Sequence, residues 1–341
     1  TQVLKKTLPY GIGFHHAGLL PIMKELVEEL FGEGLINVLY TTETFAVGIN
    51  MPAKTVCFAA LRKYDGINFR FLNSKEYFQI AGRAGRRGID KIGFSYAMVD
   101  RRDFDYNLIR RMTEKDVDPI KSQFRLSVNT VLNIFKRHDD KEIKRILTMN
   151  FDSYQKYGDN FAKATKTIAA FKSAIKKLRK KKYIEDDELT YKGNFASRIY
   201  ADEIITAEVF ATDFYKKLNE YQVMLILCSL AYESRDTTKI YKTYQSKDLS
   251  NLRKKVKLLK SKKFDYLKDI TTFVDPVMND KNIFDVIDNT NLLEGDIIRL
   301  FRQILDKVSQ IKKATHEHEL GHILDGIAFK IDKSMEDIDV I

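Results

Sequence analysis

The sequence predicts an α/β domain with a parallel sheet, followed by a winged helix and an all-α helical bundle. Three observations predict this order. Short apolar runs alternate with helical periods over the first hundred residues. After residue 103 glycine and proline become rare and helical periods take over. A short hairpin pattern follows a long helical one near residue 183. We therefore expect domains at residues 1–104, 105–197 and 198–341.

Four short apolar runs in the first domain are typical of strands. They are Gly11–His16, Val38–Thr42, Thr55–Ala60 and Ile92–Val99. A helical period from Ile22 to Phe31 separates the first two and stops at two glycines. Asn73 is placed to cap a second helix that runs into residues 79–88. Strands that alternate with helices in this way indicate a parallel sheet.

The second and third domains are predicted from helical periods and one hairpin. Residues 119–150 predict two or three short helices, and residues 161–183 predict a long, basic helix. In residues 183–195 we expect a hairpin, with Tyr183-Ile184 pairing with residues 189–191. Helices followed by a hairpin are a winged-helix pattern. From about residue 198 onward the chain is predicted to be helical.

The bulk composition indicates a globular protein with a polyanionic partner. The chain has 341 residues and a formal net charge of +11, which favours nucleic acid or an anionic membrane. Cys57 and Cys228 lie inside apolar runs and are predicted to be buried thiols in a reducing compartment. No apolar stretch approaches the roughly 20 residues that span a bilayer. We expect a soluble intracellular protein, cytoplasmic or nuclear.

The chemistry of residues 79–88 points to a phosphate ligand. Arg83 and Arg86 are three apart, so they would face one way if they lay on one helical turn. They stand among glycines, which let a backbone approach a ligand closely. The planar arginine fork suits phosphate oxygens and keeps its charge. The stretch predicts a nucleoside triphosphate, and the alternative is a basic helix end on a solvated surface.

The loop after the strand Val38–Thr42 is a second candidate. Ligands of parallel sheets gather beyond the carboxyl ends of the strands. Thr42 and Thr44 could donate hydrogen bonds to phosphate, and Asn50 could bind a sugar hydroxyl. We expect the arginine stretch to close on the same edge of the sheet.

Several stretches together resemble a known family. The match to motifs IVa, V and VI of superfamily-2 helicases is carried by His15–Pro21, by Thr42–Ala53 with Arg62–Gly66, and by Gln79–Gly88. The motif sequences are most similar to those of DExH-box RNA helicases of the superkiller and exosome-cofactor type. The resemblance continues through Lys192-Gly193 and residues 196–207, and from Asp275 onward, so it covers essentially the whole chain. It implies that residues 1–104 are the second RecA-like domain of the family, truncated at its N-terminal side.

This resemblance implies roles for residues near a nucleotide. Arg83 and Arg86 would reach the γ-phosphate of ATP, with Arg86 as the arginine finger, and Gln79 would order the water or the phosphate. Gly48, Asn50 and Gly82 would also lie at the nucleotide. Mg²⁺ would accompany ATP and would be held mainly by the first RecA-like domain of the family.

The resemblance also implies contacts with RNA. His16, Gly18 and Thr42 would touch the RNA backbone. Residues 295–311 resemble the ratchet helix of the family, whose channel face would carry Arg299, Arg302 and Gln303. The alternative for these three is an ordinary exposed helix surface. The basic runs Lys172–Lys182 and Arg253–Lys263 are solvated faces or RNA contacts, and in either case they steer RNA.

The motifs that are absent also shape the expectation. The chain contains neither a G-x-x-x-x-G-K-[ST] phosphate loop nor an Asp-Glu-x-His box. Both belong to the first RecA-like domain, so we expect a C-terminal half of a helicase that alone neither binds ATP tightly nor hydrolyses it. The family's arch insertion is replaced by a short stretch after residues 151–154, which indicates an arch-less member.

The resemblance implies further partners and a substrate. The partners would be the first RecA-like domain, RNA with a single-stranded tail beside a duplex, and RNA-decay machinery. The full protein would translocate 3′ to 5′ on RNA bound for decay or processing. Two alternatives stay open: a DNA-repair helicase, and a non-catalytic nucleic-acid-binding module.

One further motif suggests a metal. His318-Glu319-Leu320-Gly321-His322 fits H-E-x-x-H, a helical zinc pair with a glutamate base. The position of a third histidine ligand is occupied by Ala328, and the downstream Glu336 is very near the end of the sequence. We therefore expect no zinc and incidental surface histidines.

Overall fold

A computed structural model describes residues 2–42, 51–64, 68–99, 105–114, 119–163 and 165–336. The described chain forms two compact units, Thr1–Ile120 and Lys121–Ile341. Each unit is built from the element types that its sequence predicts, an α/β arrangement in the first and mostly helices in the second.

Strands of the first unit form parallel pairs and one hairpin. They are Ile12–His15 (β1), Val38–Thr41 (β2), Thr55–Phe58 (β3), Arg62–Tyr64 (β4), Phe69–Phe71 (β5) and Phe94–Ala97 (β6). β1 runs parallel to β2, and β3 runs parallel to β6. This confirms the four predicted strands, each somewhat shorter than expected. The antiparallel pair β4–β5 was not predicted.

Two of the four helices described in the first unit begin at residues that favour a helix start. They are Gln2–Thr7 (α1), Pro21–Gly32 (α2), Ser74–Ala81 (α3) and Tyr106–Glu114 (α4), with a 3₁₀ turn at Leu8–Tyr10. Pro21 occupies the first turn of α2, where its missing N–H costs nothing. The predicted cap of α3 is confirmed: the Asn73 side chain accepts from the Glu76 N–H at 2.9 Å. The Glu76 carboxylate in turn accepts from the Asn73 N–H at 2.9 Å, which completes a capping box.

Two apolar clusters hold these elements together. Leu4, Val27 and Ile36 join α1, α2 and the segment just before β2. The second cluster is Phe58, Leu61, Leu72, Tyr77 and Met112, with the rings of Phe58 and Tyr77 stacked at 5.0 Å. Because Met112 lies on α4, the first compact unit extends past residue 104. The division into three domains stays a prediction.

The second unit begins with helices and a hairpin. The elements are Val128–Arg137 (α5), Asp140–Thr148 (α6), Phe151–Tyr157 (α7), Thr165–Lys180 (α8), Ile184–Glu185 (β7), Glu188–Leu189 (β8) and Tyr191–Ala196 (α9), with a 3₁₀ turn at Phe161–Lys163. The hairpin is confirmed but shorter than predicted. Tyr191 is helical, not a strand residue, because Thr190 caps α9 by accepting the Gly193 N–H at 3.1 Å.

The remaining helices surround one buried helix. They are Glu203–Phe210 (α10), Glu220–Ala231 (α11), Lys247–Val256 (α12), Leu267–Met278 (α13), Ile283–Ile287 (α14), Glu294–Ala314 (α15) and His318–Met335 (α16), with 3₁₀ turns at Tyr215–Lys217, Lys257–Leu259 and Lys262–Phe264. α11 packs against α13 and α15 and is buried from Gln222 to Leu230. This explains its almost uniformly apolar sequence. No helix in the described part of the chain is both long and apolar enough for a membrane crossing.

The two cysteines differ in environment. Cys228 is fully buried on α11, and burial raises the pKa of its thiol. Cys57 on β3 is exposed, so the prediction that both are buried was wrong for this residue. Among the described strands β3 pairs with β6 alone, and no described element covers the face that carries Cys57.

Candidate nucleotide and nucleic-acid site

The residues after α3 form a loop, which we call the arginine loop (residues 82–90). Helix α3 ends at Ala81, so Arg83 and Arg86 both lie after the helix. The prediction that they share one helical turn was wrong. Gly85 and Gly88 have φ angles of 92° and 80°, in the left-handed region that favours glycine. The turn at Gly85 precedes Arg86 and the turn at Gly88 follows it, so Arg86 lies between two turns outside the helix.

Backbone contacts tie the arginine loop to the segment before β3. The Ala53 N–H donates to the Arg83 carbonyl at 2.9 Å, and the Gly85 N–H donates to the Ala53 carbonyl at 2.7 Å. Gly93, just before β6, lies so close that a Cβ there would be 2.4 Å from the carbonyl carbon of Ala84. The loop therefore lies at the amino ends of β3 and β6. The expectation that it closes on the edge that follows β2 stays a prediction, because residues 43–50 lie outside the described residues.

Arg86 is held by Asp90. Its backbone N–H donates to Asp90 Oδ2 at 3.0 Å, its Nε donates to the same oxygen at 2.8 Å, and its Nη2 donates to Oδ1 at 3.0 Å. The hydrogen bonds from Arg86 hold the pKa of Asp90 at about 2, so the carboxylate is charged at neutral pH. The Arg86 side chain is 43% exposed, so it is not enclosed in a core.

The other predicted nucleotide residues lie beside this pair along the chain. Gln79 is exposed on the last turn of α3, Gly82 is exposed directly after it, and Arg83 is half-buried. The C-terminal end of a helix carries partial negative charge, which favours cations such as Arg83. Gly48 and Asn50, and also Thr44, lie outside the described residues.

A set of charges that the sequence analysis missed holds α3 against the hairpin. We call Lys63, Arg70 and Glu76 the hairpin clasp. The Glu76 carboxylate accepts two hydrogen bonds from Arg70, at 2.7 and 2.8 Å, and lies 2.9 Å from Lys63 Nζ. These contacts, with Arg70 first, lower the pKa of Glu76 to about 2. The sequence could have indicated the capping box, because a glutamate stands three residues after Asn73. It could not have indicated that Lys63 and Arg70 also bind this glutamate.

The predicted RNA-backbone residues near β1 and β2 come together. β1 and β2 are parallel and His15 lies opposite Thr41, so His16 and Thr42 follow their carboxyl ends. The Gly18 N–H donates to His16 Nδ1 at 3.0 Å, which shapes the turn. Thr42 is exposed and His16 is half-buried. These positions leave a polar edge at the carboxyl ends of this strand pair.

His15 is packed, as the alternation of side chains along a strand predicts. It is 6% exposed, and its Nε2 lies 2.7 Å from Glu28 Oε1 on α2. One of the two adjacent histidines therefore belongs to the interior, and His16 is the residue nearer the surface.

Three predicted RNA residues lie on one exposed face of α15. Arg299, Arg302 and Gln303 are all exposed, whereas Phe301 and Ile304 are buried. Arg299 Nη2 is 4.0 Å from Asp296 Oδ1, a loose ion pair. The shared face agrees with the spacing, and contact with RNA stays a prediction.

Helix α8 presents a second basic face. Lys172, Lys176, Lys177 and Lys180 are exposed, and none forms an ion pair with a described residue. Arg179 differs, because its guanidinium pairs with Asp187 in the hairpin turn. The face is therefore available to a polyanion.

The H-E-x-x-H motif occupies the start of α16. His318 and His322 are both exposed, with Leu320 buried between them. Within the described ranges there is no group of three or more histidine, cysteine, aspartate or glutamate side chains that could hold a metal ion.

Comparison with known families gives two matches. The model of the helicase conserved C-terminal domain matches residues 1–88, which include most of the arginine loop. The model of the DSHCT (NUC185) domain matches residues 186–334, from the hairpin to α16.

Curated relatives are similar over parts of the chain. The DExH-box ATP-dependent RNA helicase DExH9 of Arabidopsis thaliana is 44% identical over 184 residues, 53% of this chain and 18% of that protein. The exosome RNA helicase MTR4 of Mus musculus is 48% identical over 150 residues, 44% of this chain and 14% of that protein. The ATP-dependent RNA helicase mtr4 of Schizosaccharomyces pombe is 50% identical over 126 residues, 37% of this chain and 11% of that protein. The chain thus aligns with less than a fifth of the length of each relative.

Proposed function

We propose that this chain, which belongs to the superfamily-2 DExH-box helicases of the superkiller and exosome-cofactor type, is part of the C-terminal half of an ATP-dependent RNA helicase. It supplies the arginine finger and surfaces that grip RNA. The observation that carries the proposal is the Arg86 guanidinium. It is charged, half-exposed and held on a glycine-turned loop within the region that resembles a helicase C-terminal domain.

Arg86 and Arg83 meet the γ-phosphate of ATP when a first RecA-like domain closes on this one. Charge that develops on the transferring phosphoryl group is then met by fixed guanidinium groups, and an arginine finger supplies about 10³–10⁵ in kcat. Gln79, Gly82, Gly48 and Asn50 line the same site. Mg²⁺ comes with ATP and is held mainly by the first domain, because Asp90, the only carboxylate of the arginine loop, is engaged by Arg86.

The second unit supplies two further modules. The helices and hairpin from residue 121 to residue 197 form a winged helix, and the helices beyond residue 197 form a ratchet-type bundle. A start at residue 121 instead of 105 is supported by the packing of α4 in the first unit. This division is supported by the hairpin β7–β8, which follows α8 directly, and by the burial of α11 among the later helices.

RNA is bound through its backbone. His16, Gly18 and Thr42 contact phosphate and sugar beside the first unit, and Arg299, Arg302 and Gln303 contact the strand along α15. Such contacts do not read sequence, which suits a helicase acting on structured RNA bound for decay or processing. Directional movement is 3′ to 5′, and RNA-decay machinery is the expected partner inside the cell.

The test is a substitution in the full-length protein that contains this chain. Arg86→Ala should lower the kcat of RNA-stimulated ATP hydrolysis by about 10³ or more, because the finger acts only on the transferring phosphoryl group. RNA affinity should stay within about threefold. Arg87→Ala is the matched control, because Arg87 is an exposed arginine next to Arg86 that the proposal gives no role in catalysis. Unchanged hydrolysis in Arg86→Ala contradicts the proposal, and loss of RNA binding assigns Arg86 to another site.

A further inference from the structure

We propose that Asp90 is a positioning residue for Arg86, which holds one edge of the guanidinium so that the other end stays open to phosphate. This inference rests on the proposed function of Arg86. It adds a second residue to the site and a reason why the arginine points outward.

The geometry divides the five N–H donors of the guanidinium into two sets. Asp90 accepts from Nε at 2.8 Å and from one hydrogen of Nη2 at 3.0 Å. The three donors left are both hydrogens of Nη1 and the second hydrogen of Nη2. Two of these three, one hydrogen on Nη1 and one on Nη2, face along the end of the fork, where two oxygens of one phosphate can be bound together. The carboxylate therefore occupies the side of the fork and leaves its end for a ligand.

Exposure sets the direction of the pair. The Asp90 side chain is 8% exposed, whereas the Arg86 side chain is 43% exposed. The carboxylate thus lies on the protein side, and the guanidinium extends from it toward solvent. An arginine anchored in this way presents its end rather than its side.

The anchor also fixes the backbone around the arginine. The Arg86 N–H donates to Asp90 Oδ2 at 3.0 Å, and the Asp90 N–H donates to the Arg86 carbonyl at 2.9 Å. Backbone and side chain are therefore closed into one turn between residues 86 and 90. The carboxylate stays charged at neutral pH, because the pKa of Asp90 is about 2. An arginine finger that is already oriented loses no further freedom in the transition state. The orientation by Asp90 therefore raises kcat.

The chain offers a matched control for this pair. Arg110 and Glu114 have the same spacing, and Arg110 Nε lies 2.6 Å from Glu114 Oε1. Both side chains are more than half exposed, at 60% and 56%. Removing the Glu114 charge tests the effect of losing an ion pair that no proposed nucleotide residue uses.

The experiment measures RNA-stimulated ATP hydrolysis by the full-length protein. Asp90→Asn retains the size but has one acceptor oxygen instead of two, so it cannot reproduce the contact in which separate oxygens accept from Nε and Nη2. Asp90→Ser can accept the Arg86 N–H alone, and so separates the backbone contact from the guanidinium contact. We expect each variant to lower kcat by 10- to 100-fold with KM for ATP within threefold. Glu114→Gln should change kcat by less than twofold.

A double substitution shows whether Asp90 acts through Arg86. In an Arg86→Ala protein, Asp90→Asn should cause no further loss, because there is no guanidinium left to position. Melting temperatures within a few degrees of wild type keep the comparison valid, and Asp90→Ser serves if Asp90→Asn does not fold.

The outcomes separate this inference from the proposed function. Wild-type or higher kcat in both Asp90 variants, beside an inactive Arg86→Ala, overturns the positioning role and leaves the finger in place. A further loss in the double variant also overturns it, since Asp90 would then act without Arg86. An active Arg86→Ala overturns the proposed function itself.

Discussion

Glycines decide where the arginines of the candidate site can be. Gly85 and Gly88 take left-handed backbone angles that other residues rarely adopt, and Gly93 admits the backbone of Ala84 at close range. Arg86 therefore lies outside the helix, where its side chain is bound by the carboxylate of Asp90, four residues further on. The chemistry of the loop is set by the arginines, but their placement is set by residues without side chains.

Gly93→Ala should destabilise the arginine loop, because Gly93 packs against the backbone of Ala84 in that loop. A Cβ at this position would lie 2.4 Å from the Ala84 carbonyl carbon, which is backbone and cannot turn aside. We expect the first unit to lose about 1–3 kcal/mol of its free energy of unfolding, as overpacked sites do. Denaturant unfolding of this polypeptide measures the loss. Gly32→Ala is the control, because its added Cβ meets no described atom within 4 Å beyond its chain neighbours and the backbone of its own helix. A similar loss there would show that the close contact is not the cause.

At the scale of elements, the hairpin clasp joins strands β4 and β5 to the first turn of α3. Glu76 serves both as the third residue of the capping box and as the partner of Lys63 and Arg70. Since α3 leads into the arginine loop, the clasp fixes the start of the element whose end carries the candidate site.

Glu76→Gln should reveal this clasp through its pH dependence. The pKa of Glu76 is lowered from 4.5 to about 2, chiefly by Arg70. A lowered pKa means that the stabilisation is complete above pH 4.5 and is lost as the pH falls toward 2. Allowing for solvent screening at the half-exposed Arg70, we expect the variant to be about 1–2 kcal/mol less stable at pH 7. The difference should shrink by pH 3. Glutamine can still complete a capping box, so the charge is what changes.

Denaturant unfolding at pH 7, 4 and 3 measures this difference. Glu114→Gln removes a more exposed carboxylate from the same unit and should have little effect at any of these pH values. A difference between Glu76→Gln and wild type that does not depend on pH would contradict the assignment of the stabilisation to the charge.

At the scale of the whole molecule, part of the excess positive charge lies on the exposed face of α8. The chain has 58 lysines and arginines against 47 acidic residues. Several exposed lysines are paired, such as Lys156 with Asp152, whereas Lys172, Lys176, Lys177 and Lys180 on α8 form no ion pair with the part of the chain that the structure describes. Unpaired charge attracts a polyanion most strongly, because its counterions are released on binding.

Neutralising α8 should therefore weaken the salt dependence of RNA binding. Changing Lys172, Lys176 and Lys180 together to glutamine should reduce the slope of log K against log salt by up to about 2, at about 0.7 per phosphate contact on a single strand. Fluorescence anisotropy with a single-stranded RNA across a salt series measures the slope. A matched control changes the paired lysines Lys156, Lys216 and Lys312, and an equal change there would contradict a special role for α8.

Local patterns carry the parts of the fold that were predicted correctly. The four strands of the parallel pairs, helices α2 and α3 and the order of helices and hairpin in the second unit follow from apolar spacing and capping residues, which act within a few positions. The exposed face of Arg299, Arg302 and Gln303 follows from the same spacing. The arginines, the glycines around them and the family motifs were also present in the sequence alone.

Tertiary structure decided what those local patterns could not. A helical spacing of Arg83 and Arg86 was expected, yet backbone contacts with Ala53 and the close approach of Gly93 place them on a loop. The exposure of Cys57, the clasp on Glu76 and the grip of Asp90 on Arg86 likewise depend on which segments meet. The sequence determined the chemical groups of the site, whereas folding determined their direction and partners, because a side chain's orientation depends on backbone turns and on residues far along the chain.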